Sequence, residues 1–183
     1  MDAVRGPNSI REPAVILESA QSEIILTRLV ETYQTPLLHI CYMILHDEAL
    51  AEDAVQETYL KAYKALESFR GESSEKTWLF RIGVNVCRDM RRSRWFRYVD
   101  RRVTPETLPI QGNEADEDHE DLSQAIVRLP DKYKEVILLH YYQNMNVREI
   151  AQTLSLAPSS VSNRLKKARE RLRVLMERGN RHG

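Results

Sequence analysis

The chain has little cysteine, glycine or phenylalanine (two, six and three in 183 residues), and its formal charge at neutral pH is zero. Each shortage excludes something. Cys41 and Cys87 stand far apart, with no CxxC spacing and no HxxxH pair nearby, so a zinc site is not expected. Each sits among apolar neighbours and reads as a small buried hydrophobe; nothing indicates an oxidising compartment, and a disulfide between them stays open. The opening MDAVRGPNSIREP lacks the apolar centre of a signal peptide, and no apolar run approaches the ~20 residues needed to span a bilayer. The expectation is a cytoplasmic protein. There is no Gly-rich phosphate loop. His46-Asp47 and His119-Glu120-Asp121 have no partner ligands at helical spacing. The chain therefore reads as a non-enzyme, with no catalytic residues, metal, cofactor or small-molecule substrate.

The zero net charge is an average over segregated blocks. Residues 80–102 hold eight arginines against Asp89 and Asp100, a net of +6. Residues 158–181 hold eight lysines and arginines against Glu170 and Glu177, again +6. Between them, residues 103–123 carry seven acidic groups and no lysine or arginine, a net of −7. Such asymmetry points to separate surfaces with separate partners.

The most informative stretch runs from Thr77 to Arg97. Read as a helix, it places Leu79, Ile82, Val86, Cys87 and Met90 on one apolar face. Arg81, Asn85, Arg88 and Arg92, spaced by 4, 3 and 4, form a narrow polar stripe opposite. Beyond Arg91 the apolar face gives out, and Arg91, Arg92, Arg94 and Arg97 surround Trp95, Phe96 and Tyr98. An arginine ladder with a basic-aromatic end suits a polyanion with stackable bases.

Around this stretch the chain reads as all-α: two small helical bundles joined by an acidic flexible linker. Residues 1–20 are expected to be a tail. A helical pattern from Ser22 to His46 is interrupted by Pro36, which should kink or restart it near Thr35. A second helix fits Glu48 to Leu66 with Ala54, Val55, Tyr59, Ala62, Tyr63 and Leu66 inward, and a loop over 68–74 precedes the arginine-striped helix. This first domain covers 21–99. Residues 100–121 form the linker, and 122–178 the second bundle, followed by a tail at 179–183. In the second bundle a short helix over 147–154, a turn at Ser155-Leu156-Ala157 and a long helix opened by Pro158 make a helix-turn-helix. Val161, Leu165, Ala168, Leu172 and Leu175 share its inner face, while Ser159, Ser162, Asn163, Lys166 and Lys167 point away and can meet base edges and phosphates. With −7 lying between two +6 faces, the linker could fold back on them; a merely solvated linker is the alternative.

Two stretches then carry a resemblance. DEALAEDAVQETYLKAYKALESFRGESSEKTWLFRIGVNVCRDMRR (47–92) resembles the promoter-melting domain of bacterial sigma factors. LPDKYKEVILLHYYQNMNVREIAQTLSLAPSSVSNRLKKARERLR (129–173) resembles their C-terminal helix-turn-helix domain. The two together, over about residues 22–178, resemble the small two-domain extracytoplasmic-function (ECF) class of the sigma-70 family. The resemblance implies a sigma factor that binds core RNA polymerase through its β and β′ subunits, reads the −10 and −35 elements of promoter DNA, and opens the −10 region. It also implies an anti-sigma factor, often membrane-anchored, that holds the protein inactive at the inner face of the membrane when it is not on the nucleoid.

By the same resemblance AEDAVQE matches the polymerase-docking helix, with Glu52, Asp53, Gln56 and Glu57 as contacts; Asp53, Gln56 and Glu57 share one helical face. FRGESSEKTWLFRIGVN matches the −10 loop and helix. It implies DNA contacts from Phe69, Arg70, Glu72 and Ser73 in the loop, and from Arg81, Asn85, Arg88, Arg91 and Arg92 on the helix. Trp78, at the edge of the apolar face, reads as core. The implied −35 contacts are Ser159, Ser160, Ser162, Asn163, Arg164, Lys166 and Lys167. Here the chain departs from the family pattern: Ser162 replaces a basic base-reader, and Ala157 occupies the usual helix-capping position. The rival class is a stand-alone helix-turn-helix regulator, which would bind duplex DNA tightly without polymerase.

Overall fold

A computed structural model describes residues 12–93 and 117–179, with side chains from 21 to 93 and from 122 to 177. The first lobe is three helices: α1, Glu12–Leu45; α2, Glu48–Ala65; and α3, Glu75–Arg92. The second contains α4, Glu117–Val127; α5, Asp131–Ile137, continued by a π-helical turn over Leu138–Tyr142; α6, Val147–Leu154; and α7, Pro158–Gly179. Among the described residues there is no strand.

Helix α1 departs from expectation at two points. It begins at Glu12, so residues 12–20 are helical and not a tail. It also continues through Pro36 without a restart. A proline frees the carbonyl four residues back, but burial of Leu29 on one side and of Leu37, Ile40 and Cys41 on the other holds the helix together. At 34 residues it is about 50 Å long. The chain leaves α1 through His46 in the left-handed conformation (φ 57°), and Asp47 caps α2 by accepting a 2.9 Å hydrogen bond from the Leu50 amide.

The three helices pack closely because the residues between them are small. Ala51, Ala54 and Ala62 of α2 are buried, and a Cβ on Gly83 of α3 would lie 2.7 Å from Leu37 Cδ1. Thr58, wholly buried, donates its hydroxyl to the Ala54 carbonyl at 2.6 Å. Tyr59 donates to the Leu29 carbonyl, and burial pushes its phenol up to about 12. Tyr63, expected inward, is 38% exposed. Cys41 and Cys87 meet in this core as free thiols; a hydrogen bond with Cys41, then burial, hold the Cys87 thiol well above its usual range.

The second lobe closes around Ile126, Leu129, Val136, Ile137 and Leu139, against Ile150 and Leu154 of α6 and Val161, Leu165 and Ala168 of α7. Its expected beginning at Leu122 moves upstream, since α4 starts at Glu117. The remaining linker residues and the basic-aromatic end at Arg94–Tyr98 lie outside the described residues. One apolar core runs through both lobes: α6 packs on α3, and α5 on α1.

Candidate nucleic-acid interface

The sequence of α3 sets its start and its two faces. Ser74 caps it, its hydroxyl accepting from the Thr77 amide at 3.1 Å, and Glu75 in the first turn is held bidentately by Arg28 at 2.6 and 2.9 Å. That hydrogen bond keeps the Glu75 carboxyl below its usual range. Leu79, Phe80, Val84, Val86 and Cys87 are buried, a wider apolar face than the sequence suggests, with Phe80 edge-on to Tyr33. Arg81, Asn85 and Arg92 are exposed along the opposite side.

The loop before α3 turns through Gly71, whose φ of 72° is open to glycine at no steric cost. Phe69 packs on Trp78 with ring centroids 4.7 Å apart and planes tilted by 32°. Trp78 is thus half-buried on a pocket wall and not in the core. The pocket encloses about 420 Å³, within the range of small-molecule sites. It is lined by Phe69, Arg70, Glu72 and Ser73 of the loop, by Trp78 and Arg81 of α3, and by Gln152 of α6. An aromatic pair with flanking polar groups and an arginine is what a single unstacked base requires.

Arg88 of the stripe and its neighbour Arg91 are already engaged. Arg88 donates through Nε and Nη2 to the Glu135 carboxylate of α5 at 2.9 and 2.6 Å, and Arg91 pairs with Asp131 one turn away. The hydrogen bond to Glu135 raises Arg88 above its usual value. Sequence reading placed Arg88 and Arg91 beside Arg81 and Asn85; the second lobe covers these two and leaves the others open.

In α2 the carboxylate face is present, with Glu52, Asp53 and Gln56 exposed, while Glu57 is half-buried and pairs with Lys61 at 3.4 Å. Leu60 (57% exposed) and Tyr63 continue the same face, since 53, 56, 60 and 63 are spaced by 3, 4 and 3. The signal for Leu60 was its place on the polar side of an otherwise amphipathic helix.

In the second lobe α6 is fixed by a capping box. Asn146 Oδ1 accepts from the amides of Arg148 and Glu149 at 2.9 and 3.1 Å, and the Glu149 carboxylate accepts from the Asn146 amide at 2.8 Å. Ser155, left-handed at φ 55°, turns the chain toward α7. The Ala157 carbonyl accepts the amides of Ser160 and Val161, so α7 begins without a side-chain cap. Ser159, Ser160, Ser162, Asn163, Lys166 and Lys167 are exposed, and Arg164 is half-buried. The Ser162 hydroxyl donates to the Pro158 carbonyl at 3.1 Å.

Residues 29–97 match the model of Sigma-70 region 2, and residues 119–172 that of Sigma-70, region 4. The ECF RNA polymerase sigma factor SigW of Bacillus subtilis is 30% identical over 79% of this chain and 85% of that protein. The chain belongs to the ECF sigma factors. The RNA polymerase sigma-H factor of Pseudomonas aeruginosa is 31% identical over 78% of this chain and 81% of its own length. Among solved structures, CnrH in complex with the cytosolic domain of CnrY superposes with a TM-score of 0.64 at 27% identity, covering 87% of this chain and 94% of that one. The fold is also that of the sigma factor RpoE of Bartonella quintana, in complex with the anti-sigma factor NepR. Its TM-score is 0.71 at 24% identity, with 82% and 96% covered. The region 2 match takes in α1 from residue 29, α2 and α3, and the region 4 match takes in α4 from residue 119, α5, α6 and α7 up to residue 172. No described helix is long and apolar enough to cross a membrane.

Proposed function

We propose that this sigma factor divides promoter recognition between its lobes, with no catalytic step of its own. Arg81, Asn85 and Arg92, with the Phe69–Trp78 pocket, take the single-stranded −10 region; the exposed face of α7 takes the −35 duplex. The observation that carries this reading is the continuity of the α3 stripe with the aromatic pocket at its N-terminal end. A flipped base seats on Trp78 and Phe69 while Asn85 reads a base edge and the arginines neutralise phosphates. On α7, Lys166, Lys167 and Arg164 hold phosphates, and Ser159, Ser160, Ser162 and Asn163 face the bases. Ser162 has only a hydroxyl to offer, which narrows readout there.

Core polymerase docks on α2, through Glu52, Asp53, Gln56 and Glu57 together with Leu60 and Tyr63. An acidic rim around two exposed apolar side chains repels DNA and suits a basic protein surface with an apolar centre. An anti-sigma factor is the expected regulator, as NepR is named for RpoE. Run-off transcription with purified core polymerase tests the reading. Addition of the chain should confer initiation at a defined start site, and tight duplex binding without polymerase would favour the stand-alone regulator instead.

A further inference from the structure

The π-helical turn Leu138–Tyr142 at the end of α5 carries Tyr141 to the surface, 52% exposed, just beyond the buried Leu138 and Leu139. Two neighbours fix its ring. His140 packs against it edge-on, with centroids 4.8 Å apart and planes at 76°, and is itself anchored by Nδ1, which donates to the Met145 carbonyl at 2.9 Å. From α7, Arg169 donates its Nε–H to the Tyr141 hydroxyl at 2.9 Å, its guanidinium carbon 5.9 Å from the ring centroid. The phenol oxygen therefore accepts from Arg169. Among the described residues its own proton meets no acceptor, and neither do the two Nη groups of Arg169. A lone exposed tyrosine is ordinary. This one aims an arginine.

The arginine stands on a definite side of α7. Ser162, Lys166, Arg169 and Arg173, spaced by 4, 3 and 4, share one exposed stripe. Arg171, 5.0 Å from the Tyr133 ring, lies on the opposite flank. Ser162 and Lys166 belong to the face proposed for the −35 duplex. A rise of about 1.5 Å per residue sets Arg169 about 10 Å behind Ser162 along the helix axis. The major groove is about 8.5 Å deep. A helix that offers Ser162 to base edges thus carries Arg169 back to the level of the phosphate rim. Guanidinium N–H and phenol O–H groups are both donors that phosphate oxygens accept, the first with charge assistance. An arginine already held through Nε also has less freedom to lose on binding.

We propose that Tyr141 and Arg169 form a two-donor clamp on one backbone phosphate at the edge of the −35 element. Arg169 supplies the charge through its Nη groups, and Tyr141 both aims the guanidinium and donates its own hydroxyl proton to the same phosphate. The clamp rests on the assignment of α7 to the −35 duplex. It adds to that surface a residue from α5, outside the helix-turn-helix itself.

The test uses the full chain with core polymerase and a promoter duplex spanning the −35 element upstream of the start site that run-off transcription defines. Neutral methylphosphonates replace its phosphates one at a time. The wild-type complex should weaken about threefold to tenfold when the clamped phosphate is neutralised. Arg169→Gln should weaken binding to the unmodified duplex by a similar factor, lower the slope of log affinity against log salt by about 1, and become indifferent to that one methylphosphonate. Tyr141→Phe keeps the ring; it should weaken binding about threefold, leave the slope unchanged, and add nothing to Arg169→Gln. Arg171→Gln, the same charge lost from the opposite flank, should keep the wild-type methylphosphonate profile. All these side chains except that of Tyr133, which is not altered, are exposed, and helical circular dichroism should not change. An Arg169→Gln protein still sensitive at every phosphate, additive losses with Tyr141→Phe, or the same profile change in Arg171→Gln overturns the proposal. Reduced initiation with an unchanged profile overturns it too, and marks the pair as a contact for protein. Lys166→Ala separates the two readings. If it loses sensitivity at a phosphate of its own while Arg169→Gln and Tyr141→Phe lose none, the clamp fails alone; if it also changes nothing, the assignment of α7 to the −35 duplex has failed.

Discussion

Arg88 of α3 and Glu135 of α5, 47 residues apart in sequence, form a two-point guanidinium–carboxylate pair at 2.6 and 2.9 Å across the seam between the lobes. One residue of the pair belongs to the face that the sequence marks for nucleic acid, and the other to a helix of the second lobe's core.

Lys134 makes lobe closure depend on pH. Burial lowers it from 10.5 to about 8, against the opposing pull of Asp131 and Glu135 on its own helix and with Arg91 of α3 adding to the drop; His46, just past α1, completes its surroundings. Its ammonium is therefore buried at a cost below pH 8, and that cost disappears as pH rises from about 8 to 10.5. Closure should strengthen over this window by at most about 3 kcal/mol. Energy transfer between dyes on the two lobes reads this directly, and Lys134→Met should abolish the dependence. Global unfolding is a poorer readout, because the raised Cys87 thiol works in the opposite direction as pH rises past 9.

Gly83 lies where α1, α2 and α3 converge. Gly83→Ala gains about 1 kcal/mol of helix propensity but presses on Leu37 Cδ1 and Thr58, at a cost of about 1–3 kcal/mol. Gly83→Val adds a branched side chain to the same space. Thermal unfolding should fall by a few degrees for alanine and further for valine.

Leu60→Ser should weaken binding to core polymerase about tenfold while leaving the melting temperature unchanged, since Leu60 is an exposed apolar anchor beside Asp53 and Gln56. Asp53→Ala should weaken the same complex and make it less salt-dependent. Equal polymerase affinity for both variants and the wild-type chain would move the docking surface elsewhere.

On α7, Lys166→Ala should weaken duplex binding and reduce the slope of log affinity against log salt by about 1, uniformly across sequences. Asn163→Ala should instead relax sequence choice at the −35 element. Titrations at several salt concentrations separate the two effects.

Asn146→Ala removes the side-chain half of the α6 capping box, leaving the amides of Arg148 and Glu149 without their Oδ1 acceptor, and should destabilise the helix-turn-helix by about 1–2 kcal/mol, seen as a lower denaturation midpoint. The α7 start, uncapped at Ala157, should gain stability from Ala157→Ser or Ala157→Asp.

Most of the helices were legible because their periodicity is strong. Arg81, Asn85, Arg88 and Arg92 define one side of α3 by spacing alone, and Pro158 marks the start of α7. Pro36 misled because a local rule about hydrogen bonding was outweighed by burial on both sides of it. Tyr63 was misplaced because an aromatic at the end of an amphipathic helix reads as core whether or not a neighbour covers it. Trp78 was assigned to the core for the same reason, while its true neighbour is Phe69, across a glycine turn. The seam was the hardest to see. Glu135 and Asp131 are ordinary helical acids until folding brings Arg88 and Arg91 to them, and no spacing within one chain segment reveals a pair 47 residues apart.

The central claim is that the open face of α3 and its aromatic pocket hold the −10 strand apart from its complement. Permanganate reactivity of promoter thymines in the presence of core polymerase and this chain measures that most directly. The account predicts reactive thymines across the −10 region with the wild-type chain, strongly reduced by Trp78→Ala and shifted in sequence preference by Asn85→Ala. Unreactive thymines with the wild-type chain, or an opening pattern indifferent to both substitutions, would contradict it.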